Sequence, residues 1–523
     1  MDNSRSDNRF KKLIVTAPVK TLLFFMLSLF LSCQSDDEIL PEAEEGGTIT
    51  IETAGTESKQ VEGNTGTAAN AEDLVENSTF SGKVTIRFGT TVSISNPFEG
   101  KGVEVTETNG DVTVSATIAE IEYEISGTTT DGSLKIYSDK KFRLSLSGVS
   151  ITNPDGPAIN IQSGKRAFIV LAQDSDNQLT DGSSYKASGS EDMKGAFFSE
   201  GQLIFSGGGK LTVRSNYAHA IASDDYIRII DAAITVTGAV KDGLHANDAV
   251  IIDGGSLDIA STDDGIQCEE GYIVINDGTI RINSTGKAIT ASYDTDNTID
   301  PYLTINGGSI TIDSKDEGIE SKSILTINGG TISVKATDDG LNAGKFIYIN
   351  GGDIYVYSTS NDGIDSNGPI TITGGKILAI GAQNPEGGID CDQSTFKITG
   401  GIVLGLGGNT SSPTASVSTQ YSVIMSGSTA GQIISLLAAD NTEALTFLVP
   451  VSRSTMLFSS PKLKAGQTYS LYTGGTVTGG DEFSGIYISG SYEPGTKSST
   501  SFTTTGMVTL SGGSTGPGGG GGR

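Results

Sequence analysis

The sequence predicts an all-β fold: a right-handed parallel β-helix, a solenoid of short strands, closed by a C-terminal antiparallel β cap. Three observations lead there. Glycine numbers 70 among 523 residues and proline only 13, a composition that asks for many tight turns without a collagen period. A turn motif recurs at intervals in the low twenties. Between the turns, apolar side chains alternate with the period of two expected of strands.

The repeat is clearest in the middle of the chain. Aligned on an acid–glycine turn, the chain reads Asp242-Gly-Leu, Asp264-Gly-Ile, Lys287-Ala-Ile, Glu317-Gly-Ile, Asp339-Gly-Leu, Asp362-Gly-Ile and Gly387-Gly-Ile. The successive spacings are 22, 23, 30, 22, 23 and 25 residues. A second turn follows each first one: Asp253-Gly-Gly, Asn276-Asp-Gly, Asn306-Gly-Gly, Asn328-Gly-Gly, Asn350-Gly-Gly, Thr373-Gly-Gly and Thr399-Gly-Gly. Two glycine turns in each period describe a solenoid coil. Alternation assigns the inward side chains, with pairs such as Val250/Ile252, Ile273/Ile275 and Leu303/Ile305 before the second turn and Leu257/Ile259 and Ile280/Ile282 after it. Four residues past the acidic position stands a small side chain: Ala246, Cys268, Ala291, Ser321, Ala343, Ser366 or Cys391. Cys268 and Cys391 therefore share a column five coils apart, about 24 Å at ~4.8 Å per coil. A disulfide needs Cα atoms within about 7 Å, so both are read as buried small side chains.

The chain divides into residues 1–33, 34–80, 81–408, 409–495 and 496–523. Lys11, Lys12 and Lys20 precede a short apolar run from Leu22 to Leu31, the order of a secretory signal. The run ends in Phe30-Leu31-Ser32-Cys33, which resembles a lipobox with Cys33 as the lipidated residue. Gln34-Ser35-Asp36-Asp37-Glu38 resembles the acidic export signal of surface lipoproteins in Bacteroidetes-type bacteria. These features imply a lipid-anchored protein of the outer membrane, exposed at the cell surface. Residues 34–80 are polar and acidic and read as a flexible tether. Residues 81–408 form the solenoid, 409–495 a strand-rich cap over its unpaired edge, and 496–523 a glycine-rich tail.

The formal charge of −28 repels phosphates and excludes nucleic acid as a natural partner. It also repels acidic polysaccharides unless a cation stands between.

Leu144-Ser-Leu-Ser-Gly-Val-Ser-Ile-Thr, Asn177-Gln-Leu-Thr-Asp-Gly and Gly201-Gln-Leu-Ile-Phe-Ser-Gly-Gly-Gly-Lys-Leu-Thr-Val precede the acid–glycine coils, and Phe458-Ser-Ser-Pro-Lys-Leu-Lys-Ala-Gly-Gln-Thr-Tyr follows them. In this order the segments resemble a family of calcium-containing, carbohydrate-binding parallel β-helix proteins with an architecture similar to pectate lyases. The resemblance covers roughly residues 85–490. It implies binding of plant-type polysaccharides of the pectin or cellulose kind, with calcium held by stacked carboxylates.

Three constellations could carry chemistry. The first is the acidic column, whose candidate metal ligands are Asp242, Asp264, Glu317, Glu320, Asp339, Asp362, Asp365 and Asp390. Carboxylates one coil apart repel unless neutralised, and Ca²⁺ accepts six to eight oxygens. Zinc is disfavoured, because the chain has only two histidines; His219 and His245 are read as solvated turn residues. The second is Lys287, which replaces the acid in mid-column, ahead of an insertion carrying Tyr293, Asp294, Asp296, Asp300 and Tyr302. It is either a lysine balancing its neighbours or the base of a calcium-dependent pectate lyase. The third is an outward stripe of Tyr272, Tyr302, Ile324 and Phe346 on consecutive coils, with Tyr348 beside it; its aromatics could stack on sugar rings or lie under a covering segment. The reading adopted is a non-catalytic, calcium-dependent polysaccharide-binding surface lipoprotein. A polysaccharide lyase centred on Lys287 and a structural envelope protein or adhesin are the alternatives.

Overall fold

The computed structural model describes residues 47–66, 70–293 and 296–516. It is a parallel β-solenoid whose coils run from Gly82–Phe88 to Ile402–Gly407. A regular coil has three strands, one on each of three sheets, exemplified by Leu244–Ala246, Ala249–Ile252 and Ser256–Ser261. The next coil repeats them as Ile266–Cys268, Tyr272–Ile275 and Thr279–Ser284, each paired in parallel with its predecessor. The acid–glycine turn connects the third sheet to the first, and the Asn-Gly-Gly turn connects the second to the third.

The register follows the sequence columns. On the second sheet Val250, Ile273, Leu303, Leu325, Ile347, Ile370 and Phe396 pair in succession, and all are fully buried. On the third sheet Leu257, Ile280, Ile310, Ile332, Ile354 and Ile377 do the same. Burying each such side chain contributes roughly 1.5–3 kcal/mol, so stability accumulates coil by coil through neighbour contacts. Cys268 and Cys391 are buried and free, as their column predicts.

The two glycine turns work differently. At the second turn Gly255 adopts φ 81°, a left-handed conformation that strains any side chain. In the acid–glycine turn Gly265 is not left-handed; it is required by packing. A Cβ there would lie 2.4 Å from Cγ2 of the inward Ile282. One glycine serves backbone shape and the other lets the turn close onto the core.

Both ends of the stack are covered. At the start, Ser93–Ser95 pairs antiparallel with Gly82–Phe88, and Val103–Thr108 with Asp111–Ala116. At the far end, Thr455–Ser459 pairs antiparallel with Ile402–Gly407, the last strand of the third sheet, and removes its open edge. A seven-stranded antiparallel sheet follows. Two segment readings change here. Residues 47–66 and 70–80 are not free tether: Ile49–Ile51 pairs with Gly490–Tyr492, and residues 56–66 lie along the Asn-Gly-Gly turns as a strap. Nor does residue 496 begin a tail. Gly490–Thr503 is one long strand, and Val508–Ser511 pairs with Ser422–Met425. Cys33 with the whole leader, Asp294, and residues 517–523 lie outside the described residues.

Candidate functional site

The acid–glycine turn places two polar columns side by side. The first contains His219, Asp242, Asp264, Lys287, Glu317, Asp339, Asp362 and, without a side chain, Gly387, and from Asp242 onward each has a partner in the second. Three residues later on the first sheet stand His245, Gln267, Thr290, Glu320, Asn342, Asp365 and Asp390, paired in that order. One carboxylate oxygen of the first column staples the following coil. Oδ1 of Asp242 accepts the main-chain N–H of Asp264 at 3.1 Å, that of Asp264 accepts Lys287 at 2.8 Å, and that of Asp339 accepts Asp362 at 3.0 Å. Asp362 holds the Gly387 N–H in the same way. Four of the eight candidate ligands, Asp242, Asp264, Asp339 and Asp362, are thus structural acceptors first, and only their second oxygens are available for other work.

What those second oxygens meet changes along the column. In the middle, Lys287 Nζ pairs with Glu320 and lies 3.5 Å from Glu317. Lys322 Nζ reaches the other Glu320 oxygen at 2.6 Å. Burial alone would lower the Lys287 pKa, but Glu320 and Glu317 together hold it above the usual lysine range. Lys287 is thus the cation that balances Glu317 and Glu320 in this part of the column. Glu317, pushed up to about 8 by burial against the pull of Lys287, also lies within 4.8 Å of Asp316 and Asp338.

Toward the C-terminal end the neighbours of the column change. Asp339 has the Asn342 amide at 2.9 Å. Beyond it, Asp362, Asp365 and Asp390 bring one oxygen each within 4.8 Å of one another. Neither Asp362 nor Asp365 forms an ion pair with lysine or arginine among the described residues. Burial, then the neighbouring carboxylates, raises Asp362 to about 9 and Asp365 to about 8. Three converging carboxylate oxygens fit a hard divalent cation such as calcium.

At the opposite end the two histidines correct their reading as solvated turn residues. Both are buried, and their rings stack at 4.1 Å on successive coils. Nδ1 of each lies 3.0 Å from Asp242 Oδ2. Burial opposes charge here, but the imidazoles hold Asp242 down at about 2, and Asp242 with Glu269 holds His245 up at about 9. Single residues on separate coils carried no sign of contact; only the coil register joins them.

The aromatic stripe is built as the alternation predicts, with Tyr272, Tyr302, Ile324 and Phe346 in register on the second sheet. All four are partly exposed. The Tyr272 and Tyr302 rings are parallel within 1° at 4.8 Å, forming a short ladder. Tyr348 belongs elsewhere: the strap covers it, and a Cβ on Gly63 would lie 2.6 Å from its ring. The strap is held by an asparagine ladder the sequence reading overlooked. Asn306, Asn328 and Asn350 each donate to the Oδ1 of the asparagine one coil back at 2.8 Å, and their other amide hydrogens reach the carbonyls of Thr65, Asn64 and Glu62.

A parallel β-solenoid carrying polar columns at its turns and an aromatic ladder on one sheet defines the class of protein. Within that class, the chain belongs to the family described as carbohydrate-binding domain-containing protein, which matches residues 108–358 and 294–435. A carbohydrate-binding domain-containing protein of Acetivibrio thermocellus is 35% identical over 118 residues, 22% of this chain. The match spans 41% of that relative's length. The solved structure of a polysaccharide lyase-like protein from C. thermocellum, a gadolinium derivative, is 30% identical, covering 47% of this chain and 96% of the other with a TM-score of 0.38.

Proposed function

We propose that this chain is a calcium-dependent, non-catalytic polysaccharide-binding lipoprotein of the outer membrane surface, suited to acidic pectin-type or cellulose-like glycans. The observation that carries the reading is the partly exposed Tyr272–Tyr302 ladder, with Phe346 two coils further on beyond Ile324, in a chain of a carbohydrate-binding family. Aromatic side chains repeated at coil spacing offer an extended glycan a row of apolar contacts with hydroxyl groups beside them. Calcium is supported by the oxygen-only donor set of Asp362, Asp365 and Asp390, with main-chain carbonyls and water available to complete six to eight ligands. Bound there, the ion would offset part of the −28 charge that repels acidic sugars. The ion-paired Lys287 supports binding over lyase chemistry. The lipid anchor rests on Cys33 after an apolar leader; among the described residues no helix is long and apolar enough to cross a membrane.

Retention on insoluble pectin or cellulose in calcium tests this directly. Tyr302→Ala is expected to weaken retention without moving the melting temperature, and unchanged retention rejects the ladder as the glycan contact. Asp365→Asn is expected to weaken calcium binding measured by calorimetry, and equal affinity rejects that site. De-esterified pectin incubated with the protein and calcium is expected to yield no unsaturated-uronate absorbance. A rise abolished by Lys287→Ala would make the protein a lyase instead.

A further inference from the structure

The histidine pair lies at the wall of a groove of about 630 Å³, roughly 120 residues before the three carboxylates assigned to calcium, and is chemically unlike them. Tyr217, 46% exposed and stacked on Tyr185 at 4.2 Å, lines this groove with Lys194, Lys241 and Glu269. The polar atoms at its floor are poorly matched by hydrogen bonds alone. Nδ1 of His219 faces Asp242 Oδ2 at 3.0 Å, which calls for a proton on the nitrogen, and the Asp242 main-chain N–H at 3.3 Å, which calls for a lone pair. Nδ1 of His245 lies 3.0 Å from both Asp242 Oδ2 and Gln267 Oε1, two acceptors competing for one proton. A single cation bound by the two Nδ1 lone pairs and Asp242 Oδ2 would end the competition for protons among these three atoms, with the Asp242 main-chain N–H released from His219.

We infer that His219, Asp242 and His245 form a binding site for a zinc-class transition-metal ion, separate from the calcium-type carboxylates and open to the groove. The donor set selects the metal: two imidazole nitrogens and one carboxylate suit zinc, cobalt or nickel, whereas calcium takes oxygens. The spacing agrees. Ligand atoms about 2.0–2.1 Å from a tetrahedral ion stand about 3.3 Å apart, close to the 3.0 Å between Asp242 Oδ2 and each imidazole nitrogen. The rings are 24° from parallel, so each must rotate about its terminal torsion to aim its lone pair at a shared ion. That torsion is soft. A fourth position then faces the groove, where zinc sites with three protein ligands hold water or a ligand oxygen.

The test uses the full chain without a histidine tag, stripped with chelator and titrated with zinc chloride by calorimetry in excess calcium. One zinc ion per chain is expected, and cobalt in its place is expected to give the visible absorption of a four-coordinate centre. His219→Ala and His245→Ala should each weaken uptake by at least about 100-fold, since even outer-shell changes cost 10–100-fold. Because either variant could disturb the coil, the unmutated protein provides a second reading. The chain has only two histidines, so selective ¹⁵N-histidine labelling reports just this pair, and zinc must shift both Nδ1 resonances. No zinc uptake by the parent chain overturns the inference, as does uptake that leaves either histidine resonance unmoved.

Discussion

Lys287 shows how one substitution reorganises its surroundings. Its ammonium lies between Glu317 and Glu320, and the Glu320 side chain is only 4% exposed. Removing the cation would leave buried carboxylates without their main partner, a change that costs about 3 kcal/mol or more. Lys287→Met is therefore expected to lower stability in urea denaturation by that order, and adding Glu320→Gln to recover most of it. A Lys287→Met variant as stable as the parent would mean that the pair contributes nothing. Gly265 makes a parallel case in apolar terms. Its missing Cβ makes room for Ile282 and for the Ala288 carbonyl oxygen, 2.6 Å from where that atom would be. Gly265→Ala is expected to cost about 1–3 kcal/mol through overpacking, and to cost less when introduced into an Ile282→Ala background, where the crowding Cγ2 is gone. Equal costs would place the strain elsewhere.

The polar columns are the element that couples the coils to solution conditions. Burial raises Asp264 and Asp339 to about 7, Asp365 to about 8 and Asp362 to about 9. Each folded value lies above the unfolded carboxylate value of about 4. In the absence of metal, the protonated form is thus favoured by folding, and this stability is complete below about pH 4 and lost as pH rises through 7 to 9. The chelator-treated protein is expected to melt at progressively lower temperature between about pH 5 and pH 9. Calcium is expected to flatten that decline, because it binds the ionised carboxylates. A melting temperature independent of pH in chelator would show that these carboxyls are not buried as protonated groups.

At the scale of the molecule, stability depends on segments that close the stack. Coils contact only their neighbours, so the exposed ends and turn edges are where unfolding begins. The strap of residues 56–66 spans several coils at once, and Ile49–Ile51 anchors it in the terminal sheet. Deleting residues 47–66 is expected to make the 433–503 sheet susceptible to limited proteolysis and to uncover the Tyr348 ring. An unchanged digestion pattern would show that the strap is an appendage. The same cross-chain logic operates nearer the start, where Asp73 is buried and receives both Arg166 and Arg228, at 2.8 and 2.9 Å.

The solenoid, the identity of its inward side chains, the cysteine column and the aromatic register were legible because each depends on alternation and turn chemistry within about 25 residues. Val250, Ile273 and Leu303 were assignable to one ladder because their coils obey the same local rule. The roles of the polar residues were not legible in this way. Asp242, Asp264, Glu320 and Asp365 form one acidic series in the sequence. In the folded chain they meet two imidazoles, a main-chain amide, two ammonium groups and other carboxylates respectively. Tyr348 lies beside Phe346 in sequence yet under a segment that arrives from residue 63.

By itself, then, the sequence determined the coil: its two kinds of turn, the strands on either side of the second one and the side chains that fill them, because these arise from interactions between near neighbours. Only the tertiary structure decided which charges are neutralised, which faces are covered and where the histidines meet. Those outcomes depend on contacts such as Glu62 with Asn350 and Asp73 with Arg228, 288 and 155 residues apart. No local pattern encodes them, since burial and pairing of a polar group are set by whatever the completed stack brings against it.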